Sequence, residues 1–148
     1  MEKLLEDRVI DNIEVVWVPS PLPGKTRLKN SRPELSPINN LFTWWQWKDI
    51  PFFAEGVLEH SGRSVNDLGF AFPEEIDEED EIIENSVQFF DNFSKIYLSE
   101  VAFERLMLKF FKTLFDGAKA GRLSIMKEAW WNDFATRIDQ LEQKGVPE

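Results

Sequence analysis

No cysteine occurs in the chain. That excludes disulfides, thiolate nucleophiles and cysteine-ligated metals, and it fits a cytoplasmic protein. There is a single histidine, His60, beside Ser61. A Ser–His–Asp arrangement needs the base and its orienting acid placed in space, and two neighbours at a helix end do not supply that. His60 therefore reads as an exposed helix-end residue. The glycines form no phosphate loop and no GxGxxG. Long apolar runs are missing too. No stretch approaches the ~20 residues of a membrane helix, and the charged start, Met1 to Asp7, does not read as a signal peptide. The acidic residues from Asp77 to Glu81 lack the spacing and the sixth-position glycine of a calcium loop. These absences lead us to expect no enzyme activity, no cofactor, no metal and no membrane.

What the chain does contain is aromatic and acidic. Six Trp and thirteen Phe among 148 residues supply large buried areas in few positions. The length suits one domain, 1–148. Its net charge of −10 is concentrated: residues 49–104 hold fifteen acidic and two basic residues. A field of that sign repels nucleic acid and attracts cationic partners. Its densest part is Glu74 to Glu84, with eight carboxylates and no basic residue. Ile76, Ile82 and Ile83 punctuate this run and suit anchoring its ends to the body. The candidate contact group is Glu74, Glu75, Asp77, Glu78, Glu79, Asp80 and Glu81. Trp131 joins it, because it lies ~100° from Trp130 on a helix and so falls outside the stripe of that helix.

The periodicity predicts an α+β fold. The stretch 98–120 reads as one long helix, with apolar residues at Phe103, Leu106, Met107, Phe110, Leu114 and Ala118. Ser99 is its N-cap, Leu98 and Phe103 form a hydrophobic staple, and Gly117 or Gly121 ends it. A last helix runs from a Ser124 cap to about Gln143, with the stripe Met126, Trp130, Phe134, Ile138 and Leu141. A further helix spans 50–60, with Asp49 at its N-cap and Pro51 in the first turn. Strands are expected at 13–18, 68–72, 86–91 and 95–98, the last two as a hairpin. Residues 41–47 carry three Trp and fit either a strand or a helix turn, with at least two of the three Trp expected in the core. Residues 1–40 are irregular and proline-rich, with five of the eight prolines between 19 and 37. The compact core is 41–148. The sum is a small antiparallel sheet of three or four strands packed against the long helix and the C-terminal helix.

The order of certain pieces also carries a likeness. Pro51-Phe-Phe is followed by Val57-Leu-Glu-His60 in one helix, then by Gly62 and Asp67-Leu-Gly-Phe-Ala-Phe-Pro73. The acidic run comes next, then Val87-Gln-Phe-Phe-Asp91, and Lys95-Ile-Tyr-Leu-Ser99 leading into a helix rich in Phe and Leu. Over residues 50–118 this order resembles a family of immunity proteins from bacterial contact-dependent growth inhibition systems. The first 40 residues do not share the resemblance. It implies a cytoplasmic protein without catalytic residues that binds and blocks a cognate basic nuclease toxin domain and makes no direct contact with nucleic acid. The physics agrees: a nuclease cleft is basic because it holds phosphates. An inhibitor presenting carboxylates occupies those sites and gains a steered on-rate. A nucleic-acid mimic or regulatory adaptor acting on a basic host protein is the alternative with the same charge. The sequence leaves the oligomeric state open.

Overall fold

The computed structural model describes residues 4–18, 25–30, 32–76, 82–121 and 125–144, apart from the side chains of Trp47 and Lys144. The fold is α+β. Its elements are α1 (Asp7–Asp11), β1 (Val15–Trp17), β2 (Thr26–Leu28), α2 (Ser36–Trp44), α3 (Ile50–Glu59), β3 (Arg63–Val65), β4 (Leu68–Ala71), β5 (Ser86–Phe90), β6 (Lys95–Ser99), α4 (Glu100–Lys119) and α5 (Trp131–Lys144). The main sheet is antiparallel, in the order β3-β4-β5-β6, and β1 and β2 form a separate antiparallel ribbon.

The long helix α4 follows from local chemistry. The Ser99 hydroxyl accepts from the Ala102 N–H at 3.1 Å and so satisfies one of the orphan donors of the first turn. Leu98 and Phe103, the two staple positions, are both fully buried. Gly121 follows the helix at φ 85°, the left-handed conformation that glycine adopts without a Cβ penalty. Gly117 has a different role from the expected one. It lies within the helix, and a Cβ there would come within 2.1 Å of the Trp17 ring. Its missing side chain is what lets the β1–β2 ribbon dock on α4.

Aromatic rings link the sheet to the helices. Phe103 of α4 meets Phe70 of β4 at 4.9 Å and Phe89 of β5 at 5.7 Å between centroids. Further along α4, Phe110 stacks on Phe42 of α2 at 4.1 Å. Phe111 meets Phe134 of α5 edge-on at 5.8 Å. In the sheet, Phe70 pairs with Phe89, Phe89 with Ile96, and Val87 with Leu98, so these residues share one face. Gln88 and Tyr97 pair on the other face, where the amide donates to the phenol at 3.0 Å.

Several elements differ from the sequence expectation. Part of the proline-rich N-terminal region is ordered: within the basic stretch Lys25 to Asn30, Thr26–Leu28 is a strand. Thr26 is buried, donates to the Phe42 carbonyl and accepts from the Trp45 indole N–H, while the Leu28 N–H donates to Asn39. Polar bonds to α2 thus supply what strand propensity alone did not signal. Residues 36–44 settle the ambiguous tryptophan segment as mainly helical, with Pro37 in the first turn. Strand β3 was not expected. It pairs with β4 through a tight turn in which Asn66 and Asp67 take φ 54° and 65°, as a primed two-residue hairpin requires. Helix α3 ends at Glu59, one residue before the expected end, and its cap His60 takes the left-handed conformation itself. The last helix begins at Trp131 rather than at Ser124, and Ser124 lies outside the described residues. Met126, placed on the stripe of that helix, is instead exposed in the preceding turn.

Candidate partner-binding site

The acidic connection joins β4 to β5, neighbouring antiparallel strands, at one end of the main sheet. Its first part is a 3-10 turn, Pro73–Glu75. The Glu75 carboxylate turns back to accept from the Gly62 N–H at 2.8 and 2.9 Å and from the Phe72 N–H at 2.9 Å. A Cβ on Gly62 would come within 2.9 Å of the same carboxylate, so glycine gives it room. At the far end of the connection, the Ser86 hydroxyl donates to the Ile83 carbonyl at 2.6 Å. The Glu100 N–H donates to the Asn85 carbonyl at 3.0 Å. The connection is therefore fastened at both ends by hydrogen bonds. The isoleucines contribute less than their positions suggested: Ile82 is exposed, and Ile76 and Ile83 are half-buried.

Two acidic residues distant in sequence join this base. Glu104, in α4, lies 3.0 Å from His60 Nε2. His60 stacks on Phe72 with ring centroids 5.3 Å apart and planes nearly parallel. Glu100 opens α4, where a negative charge complements the helix dipole. Glu100 and Glu104 thus lie beside the described ends of the connection, Glu100 through its amide on Asn85 and Glu104 through His60 on Phe72. His60 is not the plain exposed helix end expected from sequence, since the left-handed end of α3 turns its ring onto Phe72. Nothing in the spacing of residues 60, 72 and 104 announces the contact, although the helix stop before Gly62 was its one legible part.

The predicted contact residues fall in different places. Glu74 is exposed. Glu75 is exposed as well, but its carboxylate is committed to two backbone amides, which makes it a fastening of the connection. Asp77, Glu78, Glu79, Asp80 and Glu81 lie outside the described residues. Trp131 is not the exposed tryptophan expected. It is 8% exposed and stacks on Phe115 at 5.0 Å, with the two planes 9° apart. The expectation assumed a helix already running through Trp130. The helix begins at Trp131, and its first residue faces α4 instead of solvent. Trp130, half-buried, meets Phe134 edge-on at 5.9 Å.

Among the described residues, no group of three or more His, Asp or Glu side chains is placed to hold a metal ion. No described helix is long and apolar enough to cross a membrane. No family model, no curated protein and no solved structure matches the chain.

Proposed function

We propose that this protein is a binding protein that neutralises a basic partner. In the reading its resemblance suggests, it is an immunity protein that blocks a cognate nuclease toxin in the cytoplasm. One observation carries the proposal: an acidic connection whose described ends are fastened by hydrogen bonds, with Glu100 and Glu104 of α4 beside those ends. A fastened loop loses less conformational freedom on binding than a free tail, so more of its electrostatic attraction reaches the affinity. Carboxylates presented to a phosphate-binding cleft replace the phosphates there and accelerate encounter. The role of the chain is to bind; it turns over no substrate.

The test is kinetic. Asp77, Glu78, Asp80 and Glu81 are changed together to Asn or Gln. Association with the nuclease encoded beside the protein is then measured at low and high salt. The variant should associate roughly tenfold more slowly at low salt, and the gap should close at high salt as charges are screened over ~8 Å. Cells carrying the toxin should lose protection. Unchanged rates together with full protection would overturn the acidic connection as the interface.

A further inference from the structure

Two adjacent tryptophans at the end of α2 differ sharply in exposure. Trp45 is buried, while Trp44 is 60% exposed. Beside Trp44, where α2 and the start of α3 face the β3–β4 hairpin, lies a hollow of about 50 Å³. Trp44, Asp49, Phe53, Val65 and Leu68 line it. Asp49 is only 8% exposed, and among the described residues its carboxylate makes no hydrogen bond or ion pair and leaves the α3 cap unfilled. The nearby cation, Lys25, feels the Asp49 charge, but its ammonium is engaged elsewhere. It donates to the Trp45 carbonyl at 2.6 Å and sits 5.0 Å over the Trp45 ring.

Both features are costly in the free protein. The Asp49 carboxylate keeps little contact with water, and Lys25 acts on it without a hydrogen bond or ion pair. A tryptophan that exposes most of its surface leaves a large apolar area in water. A single ligand group relieves both: an ammonium that pairs with Asp49 and lies against the Trp44 ring as a cation–π contact. We propose that this hollow receives a lysine side chain of a protein partner. The lysine ammonium is a compact point charge that a small hollow can admit. The planar guanidinium of arginine is wider. The lysine stem would cover the apolar rim of Trp44, Val65 and Leu68. The net charge of −10 draws cationic proteins toward the chain. None of the residues of the acidic connection lines the hollow, so this inference stands apart from the one above.

The probe is N-acetyl-lysine N-methylamide, titrated into the full chain up to tens of millimolar. Binding is followed by ¹⁵N-resolved NMR on the Trp44 indole N–H and the amides of Asp49, Val65 and Leu68. A saturable shift confined to these signals is expected. The norleucine analogue, which keeps the stem and lacks the charge, should bind at least about tenfold more weakly. The arginine analogue should also bind more weakly. Asp49→Asn and Trp44→Ala should each abolish saturation while the rest of the spectrum stays in place. No saturable shift, equal binding of norleucine or arginine, or shifts centred instead on Glu74, Glu84 and Glu100 would overturn the proposal. If Asp49→Asn fails to fold, the comparison of the three probes on the unaltered chain still decides the matter.

Discussion

Two carboxylates hold loops at opposite ends of the main sheet, in different surroundings. At one end Glu75 fastens the acidic connection from an exposed position, through the amides of Gly62 and Phe72. At the other end Asp91 holds the turn between β5 and β6. It is 8% exposed. One of its oxygens accepts from the N–H groups of Phe93 and Ser94, each at 2.8 Å, and the other from Ser36 and Asn40 of α2 at 2.8 and 2.9 Å. Glu75 thus joins a loop to the neighbouring hairpin, whereas Asp91 joins a turn to a helix packed on the core. Burial alone would push the Asp91 carboxyl up. The donors together outweigh that effect and hold it below the usual carboxylate range. The comparison teaches that one chemistry, a carboxylate accepting backbone amides, serves stability where it is buried and loop shape where it is exposed.

The largest expected effect is at Asp91. Asp91→Ala strands two amides, the hydroxyls of Ser36 and Ser94 and an Asn side chain, and should cost about 2–4 kcal/mol in denaturant unfolding. A loss no greater than that of Glu75→Ala would break the comparison.

The second effect is its pH dependence. The folded-state pKa of Asp91 is depressed, so its stabilisation is fully present above the unfolded value of about 3.9 and is lost as pH falls through the folded value. The stability difference between the unaltered chain and Asp91→Asn should be constant near neutrality and narrow below about pH 4. A difference that widened on acidification would show that the carboxylate is not the stabilising form.

The smallest effect is at Glu75. Glu75→Ala should cost about 1 kcal/mol or less, because water replaces an exposed acceptor. Amide hydrogen exchange at Gly62 and Phe72 should nevertheless speed up locally. Exchange unchanged at both amides would mean that Glu75 does not fasten the connection.

Much of this architecture was legible because it rests on local chemistry. Ser99, Leu98 and Phe103 are neighbours in sequence, and they set the start of α4 whatever packs around it. Asn66 and Asp67 suit a turn by their tolerance of positive φ, and the β5–β6 hairpin followed from two β-rich runs with a short turn between them. The candidate site was legible only as charge. Glu74 to Glu84 is an acidic run in any conformation, but the contacts of Glu75 require Gly62 and Phe72 to converge on it. The place of Glu104 beside His60 depends on α3 and α4 meeting. Strand β3 was missed because three residues carry too little pattern to stand out. Strand β2 was missed because the prolines and basic residues around it hid a Thr whose hydroxyl is satisfied only by α2.

By itself, then, the sequence determined the α+β class, the long helix with its cap, the hairpin beside it and the uneven distribution of charge. Each of these depends on residues within a few positions of one another. Only the tertiary structure decided which tryptophans face water. Trp44 and Trp45 are adjacent and alike in hydrophobicity, yet one is exposed and the other meets Thr26 and Phe110. Trp131, expected at the surface, is covered by Phe115. The physical reason is that burial is a relation between elements. A side chain carries its apolar area wherever it goes, but what covers it is fixed by the docking of other helices and strands, which no local pattern encodes.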